Sequence, residues 1–281
     1  MRALCLSYFR RLDGFIRHLV EKAGPDVRVF LASDHGFTAT TEVVRINRYL
    51  ADKGYLVFKK PGDDAPSQRR ANSPFAYLDW EKTLAYCPTP SSNAIYIRVA
   101  KAPGWPGIAP ADYTAFRQRL MEDLRALKGS RGEPVIADIL TKESAFPGKA
   151  MDKAPDLTLV LRDHGFVSIR DLTPAVISRP HPAGTHHPEG IFIAWGKGIR
   201  RQRGEPFSIV DVAPTLLYSL GLPIPEDFQG RVASCFSPEF QAAHPPQKGP
   251  ATQWQAVEAT PSQEDKQKIL DQLAMLGYLE D

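Results

Sequence analysis

One segment of the chain carries a carboxylate and an imidazole that could bind a metal ion. Asp34 and His35 come directly after the apolar run 27–32, which has the composition of a buried strand. A carboxylate beside an imidazole is a workable pair of zinc ligands. Gly36 permits the turn that would direct both side chains at one ion. Alone, the pair is equally typical of a capped loop with a hydrogen-bonded histidine.

A second segment places histidines beside another strand. His186 and His187 follow Gly184 and Thr185, and the apolar run 191–195 comes shortly afterwards. Small residues at such a place let the backbone come close to a ligand. The pattern predicts a loop, where a histidine is either a metal ligand or a solvated surface residue.

The four residues Asp-His-Gly-Phe occur twice, at 34–37 and again at 163–166. The second copy also follows a predicted strand, 157–161, so chemistry alone could place ligands at Asp163 and His164. Motif matches of this kind are common by chance. We interpret the second copy as a loop without a metal role, and we expect it to lie away from the first copy and from His186.

The elements that must position these side chains are predicted from hydrophobic spacing. Strands are predicted over 27–32, 94–99, 157–161 and 191–195, and helices over 4–20, 43–50, 111–127, 212–220 and 264–276. Helices that alternate with short apolar strands are typical of an α/β fold with a mainly parallel sheet and helices on both faces. Ligands bind at the carboxyl ends of strands in such sheets. We therefore expect Asp34, His35 and His186 to converge there.

Composition excludes several other classes of protein. The chain has 281 residues, of which 43% are hydrophobic, and 35 Lys and Arg face 32 Asp and Glu for a net charge of +3. It is therefore neither disordered nor a nucleic-acid binder with a basic stripe. No apolar run reaches 18 residues, so no membrane span is predicted. The odd number of cysteines, three, and the lack of a visible signal peptide favour the cytoplasm. The oligomeric state stays open.

Taken in order, these segments resemble a known family. SDHGF (33–37), DWEKTLAY (79–86), NAIYIRV (93–99), APDLTLVL (154–161) and GTHHPEGIFIAWGKGI (184–199) are similar to the type I phosphodiesterase/nucleotide pyrophosphatase branch of the alkaline phosphatase superfamily. SIVDVAPTLLYSLGLPIPEDFQGR (208–231) and the closing LAMLGYLED are similar as well. The resemblance implies an alkaline-phosphatase-like core and a small phosphoester or nucleotide substrate.

The resemblance also implies a site with two divalent metal ions. Zinc is the expected metal and manganese the alternative. By that pattern Asp34 and His35 bind one ion and His186 binds the other. The family usually has Arg after G-T-H, where this chain has His187. His187 is then a substrate contact, a residue that supports a metal ligand, or a surface residue, and we favour the last. Asp211 is interpreted as a helix cap.

Four groups of the family's site have no counterpart here. They are the Ser or Thr nucleophile, an early metal-binding Asp and the D-x-x-x-H pair, all of which precede S-D-H-G in the family. We therefore expect an amino-terminal part to be missing, partial metal occupancy and little turnover, with no catalytic residue assigned. Residues 1–236 are predicted to form the truncated domain, with a lid or insert near 59–150. A linker and a helix fill 237–281.

The sequence leaves four hypotheses open, one of which is that the chain start is incorrect and the enzyme is longer. The chain is a phosphodiesterase-type hydrolase with impaired activity, or a folded non-catalytic remnant that binds one metal weakly. Alternatively, it is a relative of the sulfatases or phosphoglycerate mutases. The His186 segment counts against that last hypothesis, because sulfatases resemble one another there by a Lys.

Overall fold

The computed structural model describes residues 2–59, 78–90 and 92–252, together with Ser262, Gln267, Lys268 and Leu270. These residues form two compact units. One unit contains the described residues up to 36 and from 189 onward, and the other contains residues 37–188. The units are called the outer-segment unit and the central unit below.

The central unit is built on a four-stranded sheet in the order β3-β4-β6-β5. All of its pairings are antiparallel. The strands and the helices of this region are β3 (Ala85–Tyr86), β4 (Ala94–Ile97), α3 (Tyr113–Arg125), β5 (Ile136–Thr141), α4 (Lys142–Ala145) and β6 (Leu157–Leu161).

One face of this sheet forms the core of the unit. Leu157, Leu159 and Leu161 alternate along β6 as buried residues, whereas Thr158 and Val160 between them are half-buried. Such alternation is the pattern of a sheet with one covered face. The covered face packs against buried side chains of helix α3, Phe116, Leu120, Met121 and Leu124.

A second, two-stranded sheet in the central unit pairs β2 (Gly36–Val44) with β7 (Val176–His187). Helix α2 (Ile46–Asp52) follows β2 directly. It buries Ile46, Asn47 and Leu50 in the core of this unit. The start of β2 includes Gly36 and Phe37 of the first motif, and the end of β7 includes His186 and His187 of the second.

The outer-segment unit contains a small aromatic core. Phe236 is fully buried, with its ring 4.8 Å from that of Tyr218 and 5.3 Å from that of Phe240. The elements are α1 (Arg2–Ala23), β1 (Val29–Ala32), β8 (Phe192–Trp195), α5 (Val212–Ser219), β9 (Ile224–Pro225), α6 (Pro238–Ala243) and β10 (Lys248–Gly249). β1 pairs with β8, and β9 with β10.

Helix α1 confirms the helix predicted over 4–20, and it ends at Ala23, directly before Gly24 and Pro25. Gly24 has a φ of +93°, a conformation in which glycine often ends a helix. None of the residues of α1 is buried. Its apolar side chains include Leu4, at 75% exposure, and Phe9, at 63%. In the described part of the chain, no helix has the length and apolar character needed to cross a membrane.

The chain is α/β in general, but the expectation of a mainly parallel sheet is wrong. Val29 in β1 lies opposite Trp195 in β8 in an antiparallel pair, and the four-stranded sheet is antiparallel as well. Strand β9 pairs with β10 in parallel. The physical reason lies in burial: parallel sheets have both faces covered by helices, whereas β6 alternates buried and half-buried residues, the pattern of a sheet with one covered face.

Other predicted elements differ at their ends. Helix α2 begins at Ile46 rather than 43, because β2 continues through Val44. The predictions missed β2, β5 and β7. In β7, Pro180 and Pro182 count against a strand, because proline cannot donate a hydrogen bond to a neighbouring strand. Residues 238–261, predicted as a linker, include helix α6 and strand β10. Most of the predicted helix 264–276 and the closing LAMLGYLED lie outside the described residues.

Candidate functional site

Asp34 and His35 lie between the end of β1 and the start of β2. The residue before them is fixed to the neighbouring strand at two points. The Ser33 amide donates to the Ile191 carbonyl over 3.0 Å, and the Ile191 amide donates to Ser33 Oγ over 2.8 Å. A Cβ at Gly190 would overlap Ser33 Oγ, so the absence of a side chain there permits this close approach. Segment 189–191 thus holds the turn that carries the pair.

The two side chains face one another closely enough to share an ion. His35 Nε2 lies 3.7 Å from Asp34 Oδ1, and the His35 amide donates to the same oxygen over 3.1 Å. His35 Nδ1 is 2.8 Å from the Gly36 carbonyl oxygen. With the Nδ1 proton directed at that carbonyl, the lone pair of the ring lies on Nε2. The Asp34 side chain is 87% exposed and that of His35 38%.

This geometry fits a divalent metal ion. Two ligands each about 2.0–2.1 Å from a tetrahedral zinc are roughly 3.4 Å apart, close to the separation of Asp34 Oδ1 and His35 Nε2. A metal-binding histidine usually donates its other ring N–H to a carbonyl or carboxylate. The Gly36 carbonyl is placed for that role. Among the residues that the structure describes, no three His, Cys, Asp or Glu side chains form a group that could hold a metal.

His186 and His187 are the last two residues of β7, in the central unit. The prediction that they lie on a loop is wrong. Thr185 before them is buried, and both histidines are half-buried. At the start of β2, the Phe37 ring lies where a Cβ at Gly184 would be, so the two sequence motifs meet within this unit.

The second Asp-His-Gly-Phe copy lies against these histidines. The His164 and His187 rings meet edge to face with centroids 4.5 Å apart, and the Phe166 and His186 rings do so at 5.1 Å. The expectation that segment 163–166 lies away from His186 is therefore wrong. His187 is half-buried, and its ring lies against that of His164.

The cause of this proximity is the anchoring of the 162–166 turn on β2. Thr40 Oγ1 donates to Asp163 Oδ2. The buried Glu42 carboxylate accepts from Arg162 Nη2 over 3.2 Å and from the amide and hydroxyl of Ser130 over 2.6 Å each. Because β7 pairs with β2, the end of β7 reaches this turn. The duplication itself was the sequence signal that could have found these contacts.

Asp211 has the capping role that the sequence predicts. Its carboxylate accepts from the Ser208 amide over 3.2 Å and from the Arg231 amide over 2.8 Å, within a capping box. Asp211 is buried, with 7% exposure. The Trp80 ring contacts the Tyr86 ring edge to face, with centroids 5.0 Å apart.

Comparison with family models decides which family this is. The model for type I phosphodiesterase / nucleotide pyrophosphatase matches residues 5–189, more than half of the chain. The chain belongs to that family. The match includes Asp34, His35, His186 and the second Asp-His-Gly-Phe copy, and it ends at Glu189. Comparisons with curated proteins and with solved structures gave no match.

The family membership confirms the resemblance that the motifs carry. It identifies the chemistry associated with the family as the hydrolysis of phosphodiesters and pyrophosphates. The segment 208–231, which contains the capping residue Asp211, lies beyond the matched residues.

Proposed function

We propose that this chain is a metal-dependent phosphoester hydrolase of the phosphodiesterase/nucleotide pyrophosphatase type. Asp34 and His35 hold one divalent ion, and His186 is a ligand of a second. The observation that carries the proposal is the 3.7 Å separation of Asp34 Oδ1 and His35 Nε2, with Nδ1 beside the Gly36 carbonyl. The family match over both motifs supports the same assignment.

Each residue has a definable task in this proposal. A bound divalent ion supplies Lewis-acid stabilisation of the negative charge on a phosphoryl group. Asp34 contributes an anionic oxygen, and its exposure leaves it accessible to an ion from solvent. The Gly36 carbonyl fixes the ring orientation and tautomer of His35. Zinc suits a mixed carboxylate and imidazole set, and manganese is the alternative.

We further propose that turnover by this chain is low and that metal occupancy is partial. A catalytic zinc takes three protein ligands and keeps one open position, so two ions require about six. Asp34, His35 and His186 supply three. No hydroxyl is assigned as the nucleophile. A covalent mechanism needs an activated Ser or Thr, and no residue of this chain is assigned to that role.

The proposal is tested by metal content and hydrolysis measured on the same protein. Metal-stripped full chain is incubated with zinc or manganese, and bound metal and turnover of a nitrophenyl phosphodiester are recorded. Asp34→Asn and His35→Ala are expected to lose bound metal. The matched controls Asp26→Asn and His181→Ala, both at exposed positions, are expected to retain it.

The outcomes separate the candidate functions. Metal retained by both Asp34→Asn and His35→Ala would refute the assignment of the pair. Metal bound through the pair without any hydrolysis would favour the alternative, a non-catalytic protein that binds one metal. Robust turnover that His186→Ala abolishes would support the hydrolase and refute the expectation of low activity.

A further inference from the structure

Helix α1 carries an apolar face along its whole length. At 3.6 residues per turn, its large apolar side chains apart from Leu6 lie within an arc of about 160°. The side chains in this arc include Leu4, Tyr8, Phe9, Leu12, Phe15 and Leu19. In the part of the chain that the structure describes, they stay open to solvent, with Phe15 at 59% exposure and Leu19 at 51%. A contiguous exposed apolar surface of this kind is typical of a site that contacts a protein or a membrane.

The remaining surface of α1 is basic. The helix has five basic and two acidic residues, a net charge of +3 with His18 neutral: Arg2, Arg10, Arg11, Arg17 and Lys22 against Asp13 and Glu21. At the same helical spacing, Arg11 and Lys22 lie at one border of the apolar arc and Arg2 at the other. Long basic side chains at such a border can place their carbon stems along an apolar phase while their charges stay in water.

A second group of positive charges begins beside the residues that follow α1. Loop 197–203 contains four basic residues and no acidic ones: Lys197, Arg200, Arg201 and Arg203. Arg28 Nε donates to the Lys197 carbonyl over 3.0 Å. A Cβ at Gly196 would lie 2.5 Å from the Val27 carbonyl oxygen, so the two segments pack directly on one another. The basic loop therefore starts near the end of α1.

We propose that the outer-segment unit binds the surface of an anionic lipid bilayer through α1 and loop 197–203. A helix with Phe and Leu on one face and Lys and Arg on the other lies in the plane of a bilayer surface, with its apolar face below the headgroups. Clusters of four or more Lys and Arg on or beside such a helix are attracted to anionic lipids. A bilayer therefore matches the apolar face and the basic charge together.

The width of the apolar arc favours a lipid surface over a second copy of α1. Two helices that pair as a coiled coil bury a narrow seam of two residues in seven. The arc on α1 is broader than such a seam, and basic residues lie at both of its borders. Pairing two copies would also bring two net positive helices together, whereas anionic headgroups would balance their charge.

Vesicle flotation of the full chain tests the proposal without metal or substrate. The chain is expected to float with vesicles of phosphatidylcholine and phosphatidylserine in equal parts, and to remain unbound with phosphatidylcholine alone. Phe9→Gln with Phe15→Gln removes two exposed rings and keeps good helix formers. Lys197→Gln, Arg201→Gln and Arg203→Gln together remove three exposed charges. Each basic residue near an anionic surface raises affinity about fivefold, and affinity also grows with buried apolar area. Each set should therefore weaken binding roughly tenfold or more.

Matched substitutions in the central unit supply the controls. Trp105→Gln with Phe146→Gln removes two exposed apolar side chains. Lys101→Gln, Lys149→Gln and Lys153→Gln together remove three exposed charges. Both control sets should bind the mixed vesicles as the unmodified chain does. The circular dichroism spectra of all four sets should match that of the unmodified chain, which shows that the fold is kept.

The possible results separate a lipid surface from other occupants of α1. Binding lost by both test sets and retained by both control sets would support the proposal. No binding to the mixed vesicles would overturn it, and so would binding that does not depend on phosphatidylserine or equal losses in a test set and its control. Light scattering of the chain in solution gives one more outcome. A dimer that Phe9→Gln with Phe15→Gln converts to a monomer would show that a second copy covers α1, and the proposal would fail.

Discussion

The ring of Phe37 lies over the Cα of Gly184, in the space that a Cβ at residue 184 would occupy. Phe37 is 78% exposed, so this ring is not part of a buried core. The contact joins the start of β2 to β7 two residues before His186. It explains why a glycine precedes Thr185 in the histidine motif.

The first prediction concerns this contact. Gly184→Ala should lower the free energy of unfolding by at most about 1 kcal/mol, because the added methyl overlaps the ring and forces it to move, and the ring is the exposed end of a rotatable side chain. Adding Phe37→Leu should remove most of that penalty. Urea unfolding of the single and double variants measures the coupling. Gly148→Ala is the control, since a Cβ there meets no atom within 4 Å. A penalty that persists in the double variant would contradict the explanation.

The second prediction concerns pH. Arg117 Nη1 donates to both oxygens of Glu143, over 2.8 and 2.9 Å, and lowers the pKa of Glu143 to about 2. A depressed carboxylate pKa stabilises the folded state above the ordinary value near 4.5, and this stabilisation is lost as the pH falls toward 2. Glu143→Gln should cost up to about 1 kcal/mol at pH 7, because the pair is partly exposed.

The difference between this variant and the unmodified chain should shrink as the pH falls from about 4.5 toward 2. Urea unfolding at a series of pH values gives the curve. Glu81→Gln, at an exposed position, serves as the control. Its free energy of unfolding should depend on pH in the same way as that of the unmodified chain. A Glu143→Gln difference that stays constant down to pH 2 would refute the ion-pair account.

The third prediction concerns the cysteines. Cys87 is fully buried, and burial raises the pKa of its thiol to about 12, while burial also raises the pKa of Cys235. Thiolate is the reactive form, so Cys87 should be alkylated last. Cys5 is exposed and should react first. Mass spectrometry of iodoacetamide-treated native protein at pH 8 gives the order. Early labelling of Cys87 would mean that the central unit opens readily.

The fourth prediction concerns the buried cap. Asp211→Ala should destabilise the protein by about 2–3 kcal/mol, because the Ser208 and Arg231 amides lose their acceptor inside the fold. Thermal and urea unfolding measure the loss. Asp26→Ala removes a carboxylate at an exposed position and should change stability by less than about 0.5 kcal/mol. Equal effects of the two substitutions would show that the capping box contributes little.

Local features of the chain could be predicted from the sequence because local chemistry determines them. Strand β6 begins and ends at the predicted residues, 157 and 161. Helix α1 ends where Gly24 and Pro25 require. The residue types at Asp34, His35 and His186 predict metal ligands, and the resemblance of their segments to the family implies phosphoester chemistry; the family match agrees with the phosphoester part of that expectation. Ligation by those three residues stays a prediction.

Only the tertiary structure decided how distant segments pair. Periodicity identifies a strand but not its neighbour's direction, so the antiparallel pairing of Val29 with Trp195 could not be inferred. Phe166 contacts His186 from a turn in which Asp163 accepts a hydrogen bond from Thr40, 123 positions away in the chain. Such contacts depend on strand register and on hydrogen bonds between residues that are far apart in the chain. A local sequence pattern indicates neither.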